Sequence, residues 1–305
     1  MRITKLVTYF TWGVFAMASP LLHAETLAQR SVTPTPQMLT LKVYNNPDPK
    51  GFQVSSTLVM GKKEAILFDA QFTQSDAHRL VAELLESGKN LTTVFVTEGD
   101  PDYYFGLNVI QQAFPKVKFL TTTAVAAHIK ETVAKKLAVW GPQLGNNGPA
   151  STVIPEVLNG DFLELEGQRV EVRYGVGLKK DSAFIWIPST KTVLGGVLIF
   201  SNLHVWTAYA HPTKEMRMDW IRSLDKITAL KPEVVIPGHM QAGSERNISS
   251  VIFTREYLAT YEKEVAKSKN SSELIAAMKK NYPSAGLEIS LNIGAKVSKD
   301  EMIWE

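Results

Sequence analysis

The chain has 305 residues, of which 45% are hydrophobic and 21% are charged, and it has no cysteine. This composition is typical of a globular protein with a sizeable core, and it excludes a disordered chain, a collagen-like repeat, a disulfide-stapled miniprotein, thiol catalysis and cysteine-ligated zinc. The 33 basic and 30 acidic residues nearly balance, so the net charge does not favour nucleic acid as a partner.

Residues 1–24 predict a secretory signal peptide that is not part of the fold. Arg2 and Lys5 form a short basic start, residues 6–22 are uncharged and mostly apolar, and Ala24 provides a small residue for cleavage. A retained membrane anchor is the alternative, but the apolar stretch is short for a membrane span. We therefore expect a periplasmic or secreted protein with no stable membrane insertion after cleavage.

The stretch Ser31–Gln37 is rich in Pro and Thr, and residues 25–38 are predicted to form a flexible lead-in to a domain over residues 39–305. The first half of this domain predicts strands at Leu39–Tyr44, Val54–Met60, Ala65–Phe68, Thr93–Thr97 and Val117–Leu120. Helical spacing in the same half predicts helices at Gln74–Ser87, Phe105–Ala113 and Ala124–Leu137. Glycine, proline and asparagine then favour a long loop over residues 141–155.

The second half repeats this order of strands and helices. It predicts strands at Phe162–Leu165, Arg169–Tyr174, Ala183–Ile187, Thr192–Leu194 and Val234–Ile236, and helices at Met216–Leu230, Val251–Lys267 and Ser272–Lys280. Two mixed sheets packed face to face, with helices on the outside, suit this pattern. We therefore expect an α/β (α+β) protein with an αββα sandwich, closed by C-terminal helices.

An acidic segment follows the predicted strand at Thr93–Thr97. Alternate residues that leave a strand point the same way, so Glu98, Asp100 and Asp102 are expected to converge. Three carboxylates in a small volume require a cation, a basic side chain or a proton on one of them. An ordinary solvated acidic turn is the alternative interpretation.

The frame of this segment resembles the metallo-β-lactamase superfamily, whose signature is Thr-His-x-His-x-Asp-His-x-x-Gly at the end of a strand. Thr97, Asp102 and Gly106 match that signature, while Glu98, Asp100 and Tyr103 stand where its histidines would be. Further segments resemble the family in the right order: Leu67-Phe68-Asp69, residues 181–188, residues 194–197 and Ile236-Pro237-Gly238-His239. The resemblance implies a metallo-β-lactamase-like αββα sandwich.

The resemblance also implies a metal site, and the sequence departs from it. The family binds one or two zinc ions through five histidines and two aspartates. The seven positions here hold Glu98, Asp100, Asp102, Tyr103, Leu178, Val197 and His239. Only Asp102 and His239 are the expected residues, so we expect no metal cofactor. The alternative is zinc or another divalent cation on the carboxylates of Glu98, Asp100 and Asp102 together with His239.

Several side chains are candidates for the function that replaces metal chemistry. Asp102, Tyr103 and His239 are the candidate catalytic residues. The candidate ligand-binding residues are Lys179, Lys180, His204 and Trp206. The two lysines follow the lost ligand position Leu178, so either ammonium is predicted to supply the missing positive charge. Two solvated lysines in a turn are the alternative.

Two functional hypotheses follow from these features. The first is a metal-poor pseudoenzyme that binds a small molecule or a partner in the family's active-site cleft. The second is a hydrolase of an ester, lactone, thioester or lactam with an altered metal site. Loss of the zinc ligands favours the first, because metal is what lowers the pKa of the attacking water in this family. The oligomeric state is left open.

Overall fold

The computed structural model describes residues 4–13, 38–46, 48–176, 183–208 and 212–304. The chain divides into two units, Met1–Thr35 and Pro36–Glu305. Of the first unit, residues 4–13 are exposed and have no regular secondary structure, and most of the predicted signal peptide and lead-in lies outside the described residues. Within the described ranges, no helix is both long and apolar enough to cross a membrane.

The first half of the second unit forms a six-stranded sheet. Its strands, in both chain and spatial order, are β1 (Thr40–Asn45), β2 (Ser55–Met60), β3 (Glu64–Phe68), β4 (Asn90–Val96), β5 (Lys118–Thr121) and β6 (Glu156–Val157). The first three strands pair antiparallel, and β3 to β6 pair parallel. The connecting helices are α1 (Gln74–Ser87), α2 (Pro101–Tyr104), α3 (Leu107–Ala113) and α4 (Thr123–Leu144).

The second half forms a five-stranded sheet and a short two-stranded one. The strands are β7 (Phe162–Leu165), β8 (Gln168–Tyr174), β9 (Ala183–Ile187), β10 (Thr192–Leu194), β11 (Phe200–Ser201), β12 (Val234–Ile236) and β13 (His239–Met240). The larger sheet has the order β12-β10-β9-β8-β7, and β11 pairs parallel with β13. The helices of this half are α5 (Lys214–Ala229), α6 (Ser249–Lys267), α7 (Ser271–Asn281) and α8 (Glu288–Ser298).

The strands in the centre of both sheets are apolar on both faces. Along β3, Ile66 and Phe68 belong to the core between the sheets, whereas Leu67 belongs to the core under the helices. Along β9, Ile185 faces the core between the sheets, and Trp186 faces the core under the helices. Side chains alternate along a strand, so this division places each sheet between the other sheet and a helical layer. The predicted αββα sandwich is confirmed.

Helix α4 is longer than the sequence predicts. It runs through Gly141 and Pro142 to Leu144, where a loop is expected from the helix-breaking residues. The cause is tertiary packing, because the ring of Trp140 packs edge-on against Phe52 and Phe72, with ring centroids 5.3 and 5.6 Å away. Such packing of a large aromatic side chain outweighs the local preference of Gly and Pro for a loop.

Helix α8 is absent from the sequence-based prediction. Its inner face is formed by Leu291, Gly294 and Ala295, all buried, and buried Leu287 precedes it as its N-cap. Leu287, Leu291 and Ala295 stand four residues apart, a helical spacing that is present in the sequence. A bridge between Leu203 and Gly286 holds the start of the helix against the rest of the domain.

Candidate active-site cleft

The acidic segment is held by hydrogen bonds to the residues that follow β3. The carboxylate of Asp69 accepts hydrogen bonds from the Thr97 N–H at 2.8 Å and from the Thr97 hydroxyl at 2.9 and 3.0 Å. The Ala70 N–H donates to the carbonyl of Tyr103 at 2.7 Å. These bonds fix the start and the end of residues 97–103.

Two glycines allow the close approach of backbone that this arrangement needs. A Cβ on Gly106 would lie 2.0 Å from the carbonyl oxygen of Ala70, and one on Gly238 would lie 2.1 Å from that of Gly196. Neither distance is compatible with a side chain. Gly238 directly precedes His239, so the second contact positions the histidine in the cleft.

Asp102 and His239 contact each other in the cleft. Asp102 Oδ2 lies 3.5 Å from His239 Nε2, and both side chains are 7% exposed. His239 Nδ1 lies 2.9 Å from the carbonyl oxygen of Phe52. A carbonyl can only accept, so Nδ1 carries the proton, and in the neutral ring Nε2 is left as an acceptor that faces Asp102.

Burial moves both groups of this pair toward their uncharged forms. It raises the pKa of Asp102 well above its usual range, and the negative charge of Asp100 raises it further. Burial lowers the pKa of His239 to about 4. Burial thus disfavours the charged form of each group, although the two atoms lie within ion-pair distance.

Lys136 of helix α4 compensates the charge of the acidic segment. Its ammonium lies 3.5 Å from Asp100 Oδ1, donates to the carbonyl of Gly99 at 2.7 Å, and contacts His128 Nε2 at 2.8 Å. Because the Lys136 side chain is only 16% exposed, its charge acts in a poorly solvated place, where an ion pair is less screened than at the surface.

Sequence reasoning missed Lys136. It assigned the compensating charge to Lys179 or Lys180, and both lysines, with Leu178, lie outside the described residues. Lys136 lies on a helix and is 36 positions from Asp100, so neither a motif nor a local pattern connects the two. Only the packing of α4 beside the end of β4 brings them together.

A cavity of about 470 Å³ lies above these residues. Its polar lining is Asp100, Asp102, Thr132, Lys135, Lys136 and His239, which we call the floor. Its apolar lining is Phe52, Pro101, Val139, Trp140, Phe200, Trp206, Leu287, Ile289, Ile293, Ile303 and Trp304, which we call the wall. Part of the wall comes from the end of α4 and part from α8 and the residues after it. The volume is in the range of small-molecule sites.

The other predicted site residues have different places. Glu98 is buried, and its carboxylate accepts the Gly99 N–H at 2.7 Å. The ring of Tyr103 is fully buried against His239, with centroids 5.5 Å apart, and its hydroxyl has no hydrogen-bond partner among the described residues. Burial raises the pKa of Tyr103 well above its ordinary value, so the hydroxyl keeps its proton.

The predicted pair His204 and Trp206 is divided between core and cavity. His204 is 1% exposed, and its Nδ1 lies 2.9 Å from the Tyr257 hydroxyl. Burial lowers the pKa of His204 to about 4, so it is a neutral core residue. The ring of Trp206 forms part of the wall and packs edge-on against Trp304, with centroids 5.3 Å apart.

Comparison with known proteins agrees with the resemblance of the motifs. The family model of the metallo-beta-lactamase superfamily matches residues 49–239. The chain belongs to this superfamily. No curated protein sequence matches this member of the superfamily.

Solved structures of the superfamily share the fold of this chain. The DIM-1 metallo-beta-lactamase is 22% identical, with a TM-score of 0.52 over 73% of this chain and 93% of that one. A metallo-beta-lactamase family protein from Thermus thermophilus is 20% identical, with a TM-score of 0.60 over 86% and 92% of the two chains. A beta-lactamase domain protein from Burkholderia ambifaria is 14% identical, with a TM-score of 0.62 over 85% and 84%. At these identities the likeness shows the fold alone.

The donor set of this superfamily member does not fit a two-zinc site. Val197 is apolar and buried in the core, and the protonated hydroxyl of Tyr103 is a poor ligand. The remaining donors of the floor already face partners of this chain, since Asp100 faces Lys136 and Asp102 faces His239. Among the described residues, no three His, Asp or Glu side chains are arranged to hold a metal ion.

Proposed function

We propose that this protein is a metal-poor pseudoenzyme of the metallo-beta-lactamase superfamily that binds a small molecule in the family's active-site cleft. One observation supports this most directly. The cavity has a volume of about 470 Å³, while Asp100 of its floor faces Lys136 and Asp102 faces His239. A cleft of this size, whose carboxylates already face partners of this chain, is suited to binding.

The chemistry of the floor also favours binding over catalysis. Hydrolysis in this superfamily relies on metal to make a nucleophile from water at neutral pH. Asp102 faces His239, whose other ring nitrogen lies on the carbonyl of Phe52, and a single carboxylate activates water far more weakly than a bound metal. The floor therefore offers positioned hydrogen-bond donors and acceptors, but no strong base.

A hydrolase of an ester, lactone, thioester or lactam with an altered metal site is the second candidate. The observation that favours it is the contact between Asp102 and His239 in the cavity, because these are the two residues that match the family's ligands. In that case Asp100 would leave Lys136 when a divalent cation binds, and activity would depend on the added cation.

Elemental analysis of the purified protein, dialysed after incubation with zinc, separates the two functions. We expect less than one equivalent of zinc per chain. We also expect no chelator-sensitive hydrolysis of nitrocefin or p-nitrophenyl acetate. Nile red, an uncharged fluorescent dye, should bind the same zinc-poor protein. Two tightly bound zinc ions, or chelator-sensitive hydrolysis, would support the hydrolase instead.

We propose further that the protein is exported and acts in the periplasm or outside the cell, on the basis of the basic start, apolar stretch and Ala24 of its N-terminal sequence. N-terminal sequencing of the protein from a periplasmic fraction is expected to start near Glu25. An intact Met1 in the membrane fraction would contradict both cleavage and release.

A further inference from the structure

We propose that residues 300–304, which we call the strap, open and close the edge of the cavity, and that this motion controls how fast a ligand enters. The inference rests on the proposed binding function and names the regulation of that site. Three features of the described residues carry it. The strap lines the cavity, few contacts hold it, and its closed position leaves a buried hydrogen-bond donor without a partner.

The strap lies where the cavity meets the solvent. Ile303 and Trp304 both line the cavity, and Ile303 is 87% exposed. A side chain that lines a cavity and is also largely exposed must lie at the edge of that cavity. Trp304 packs edge-on against Trp206, with ring centroids 5.3 Å apart, so the strap covers part of the wall. Movement of the strap therefore changes the access of a ligand to the cavity.

The strap begins at a fixed point, the end of α8. The Ser298 hydroxyl lies 3.0 Å from the Tyr261 hydroxyl, and the Lys299 ammonium donates to the carbonyl of Val265 at 2.7 Å. Both bonds join the end of α8 to α6. Asp300 then has a φ of 57°, in the left-handed region, which turns the chain out of the helix. This turn is the hinge about which the strap would move.

Glu301 anchors the strap to α7. Its carboxylate accepts hydrogen bonds from the Ser271 N–H at 2.8 Å and from the Ser271 hydroxyl at 2.5 Å. Beyond this anchor, residues 302–304 have no regular secondary structure, and no backbone hydrogen bond joins them to another described residue. The far end of the strap is thus held by side-chain packing, such as that of Trp304 on Trp206. Segments with so few contacts open more easily than the core.

The closed strap leaves a buried donor without a partner. Trp206 Nε1 is buried and has no hydrogen-bond partner among the described residues. The free-energy cost of an unpaired N–H is of the same order as the gain from covering part of an aromatic ring. The contact between Trp206 and Trp304 therefore holds the strap only weakly, and opening would let water reach the indole N–H.

A strap that opens in this way has a kinetic signature. A ligand enters only while the strap is open, so the observed binding rate should level off at the opening rate when the ligand concentration is high. A cavity that is always open would give a rate that keeps rising in proportion to the ligand concentration. The strap also lies beyond residues 49–239, so this control is supplied by a segment outside the family match.

Fluorine NMR of the protein labelled with 5-fluorotryptophan tests the motion without a ligand. We expect the signals of Trp206 and Trp304, assigned by replacing each with phenylalanine, to show exchange between two environments. Trp220 is the internal reference, because it is fully buried and its N–H donates to the carbonyl of Leu198 at 2.8 Å. Its signal should stay single. Single signals for Trp206 and Trp304 that Glu301→Gln leaves unchanged would overturn the motion.

A pair of variants tests the anchor. Glu301→Gln removes the charge that holds the strap on Ser271. Glu288→Gln is the matched control, because the Glu288 carboxylate also joins α8 to α7, through Lys279 at 2.7 Å, but lies outside the strap. Both glutamates are exposed, so both variants should fold, which the thermal transition would verify. We expect Glu301→Gln to raise the limiting rate of Nile red binding about three- to tenfold, and Glu288→Gln to leave it unchanged.

The remaining outcomes separate the strap from the binding function. Equal limiting rates in the two glutamine variants, or a wild-type rate that rises linearly with Nile red, would overturn control by the strap and leave the binding function intact. Absence of Nile red binding would count against the binding function. The fluorine spectra would then decide the motion alone, because exchange that Glu301→Gln increases supports the strap and absence of exchange overturns it.

Discussion

The floor and the wall of the cavity are built in opposite ways. The floor consists of polar side chains, and its acidic residues face partners of this chain, such as Asp100 with Lys136. The wall consists of apolar side chains on helices, and some of them, such as Ile303, are largely exposed. In the floor, Asp100, Asp102, Lys136 and His239 already face polar partners, whereas in the wall apolar surface is left uncovered.

This difference teaches where binding free energy can come from. A ligand gains little by replacing hydrogen bonds that the floor already makes, because exchange between equal partners is nearly neutral. It gains more by covering exposed apolar surface. The cleft lies at the same place in the fold as in the superfamily. In this chain, however, most of the binding free energy of a ligand is expected to come from the wall and not from the floor. Four predictions test this contrast.

The largest effect is expected at Asp69, which anchors the floor. Burial raises its pKa to about 7 from the ordinary 3.8. Between these values the folded protein holds a proton that the unfolded chain has lost, so this group's contribution to stability falls as pH rises from about 4 to 7. The unfolding free energy of the wild type relative to Asp69→Asn should therefore rise by roughly 3 kcal/mol from pH 7 to pH 4.

Urea unfolding at a series of pH values measures this difference. Asp161→Asn is the matched control, because the Asp161 side chain is 76% exposed, and its pH profile should follow the wild type. A difference between wild type and Asp69→Asn that stays constant over this range would mean that Asp69 is charged in the folded protein.

The next largest effect is expected at Gly238, which lets the backbone of the floor close. A Cβ there would lie 2.1 Å from the carbonyl oxygen of Gly196. Gly238→Ala should lower the unfolding free energy by about 3 kcal/mol, because backbone must move to relieve the overlap.

Gly141 in α4 is the control for this substitution. It has no heavy atom within 4 Å of the position that a Cβ would take. Gly141→Ala should raise stability by about 0.5–1 kcal/mol through helix propensity. Chemical denaturation compares the two, and equal effects would refute the tight packing of the floor.

A smaller effect is expected at Lys136, the cation of the floor. Lys136→Met removes the donor to the Gly99 carbonyl and the positive charge beside Asp100. We expect a loss of about 2 kcal/mol at neutral pH, since partly buried polar groups are left without their partner. Lys130→Met, at an exposed position of the same helix, should change the midpoint of denaturation little. An unchanged midpoint for Lys136→Met would show that the floor does not need this charge.

The smallest effect is expected at Tyr103. Its hydroxyl is buried and has no hydrogen-bond partner among the described residues. Tyr103→Phe should therefore leave the thermal midpoint unchanged or raise it slightly, and the unfolding free energy should rise by less than about 1 kcal/mol. Tyr257 is equally buried, but its hydroxyl lies 2.9 Å from His204 Nδ1, so Tyr257→Phe should destabilise. A clear loss of stability in Tyr103→Phe would indicate that the hydroxyl has a hydrogen-bond partner in solution and helps to stabilise the floor.

Local patterns predicted the elements whose stability has a local origin. Helix α1 has the predicted bounds because Thr73 caps its start and Gly88 ends it in the left-handed conformation. Strands such as β12 match because continuous apolar runs are typical of buried strands. The end of α4 and all of α8 were missed, because their stability depends on packing against residues far away in the chain.

The sequence by itself determined which side chains the floor contains and which ligands it has lost. Replacement of histidine at residues 98, 100 and 103 is visible without a structure, and so is the αββα order of strands and helices. Only the tertiary structure decided which charges face each other. Lys136 reaches Asp100 because α4 packs beside the end of β4, and the wall is completed by residues of α8. Such contacts join residues that are distant in sequence, so no local spacing encodes them, and they form only when the whole core is packed.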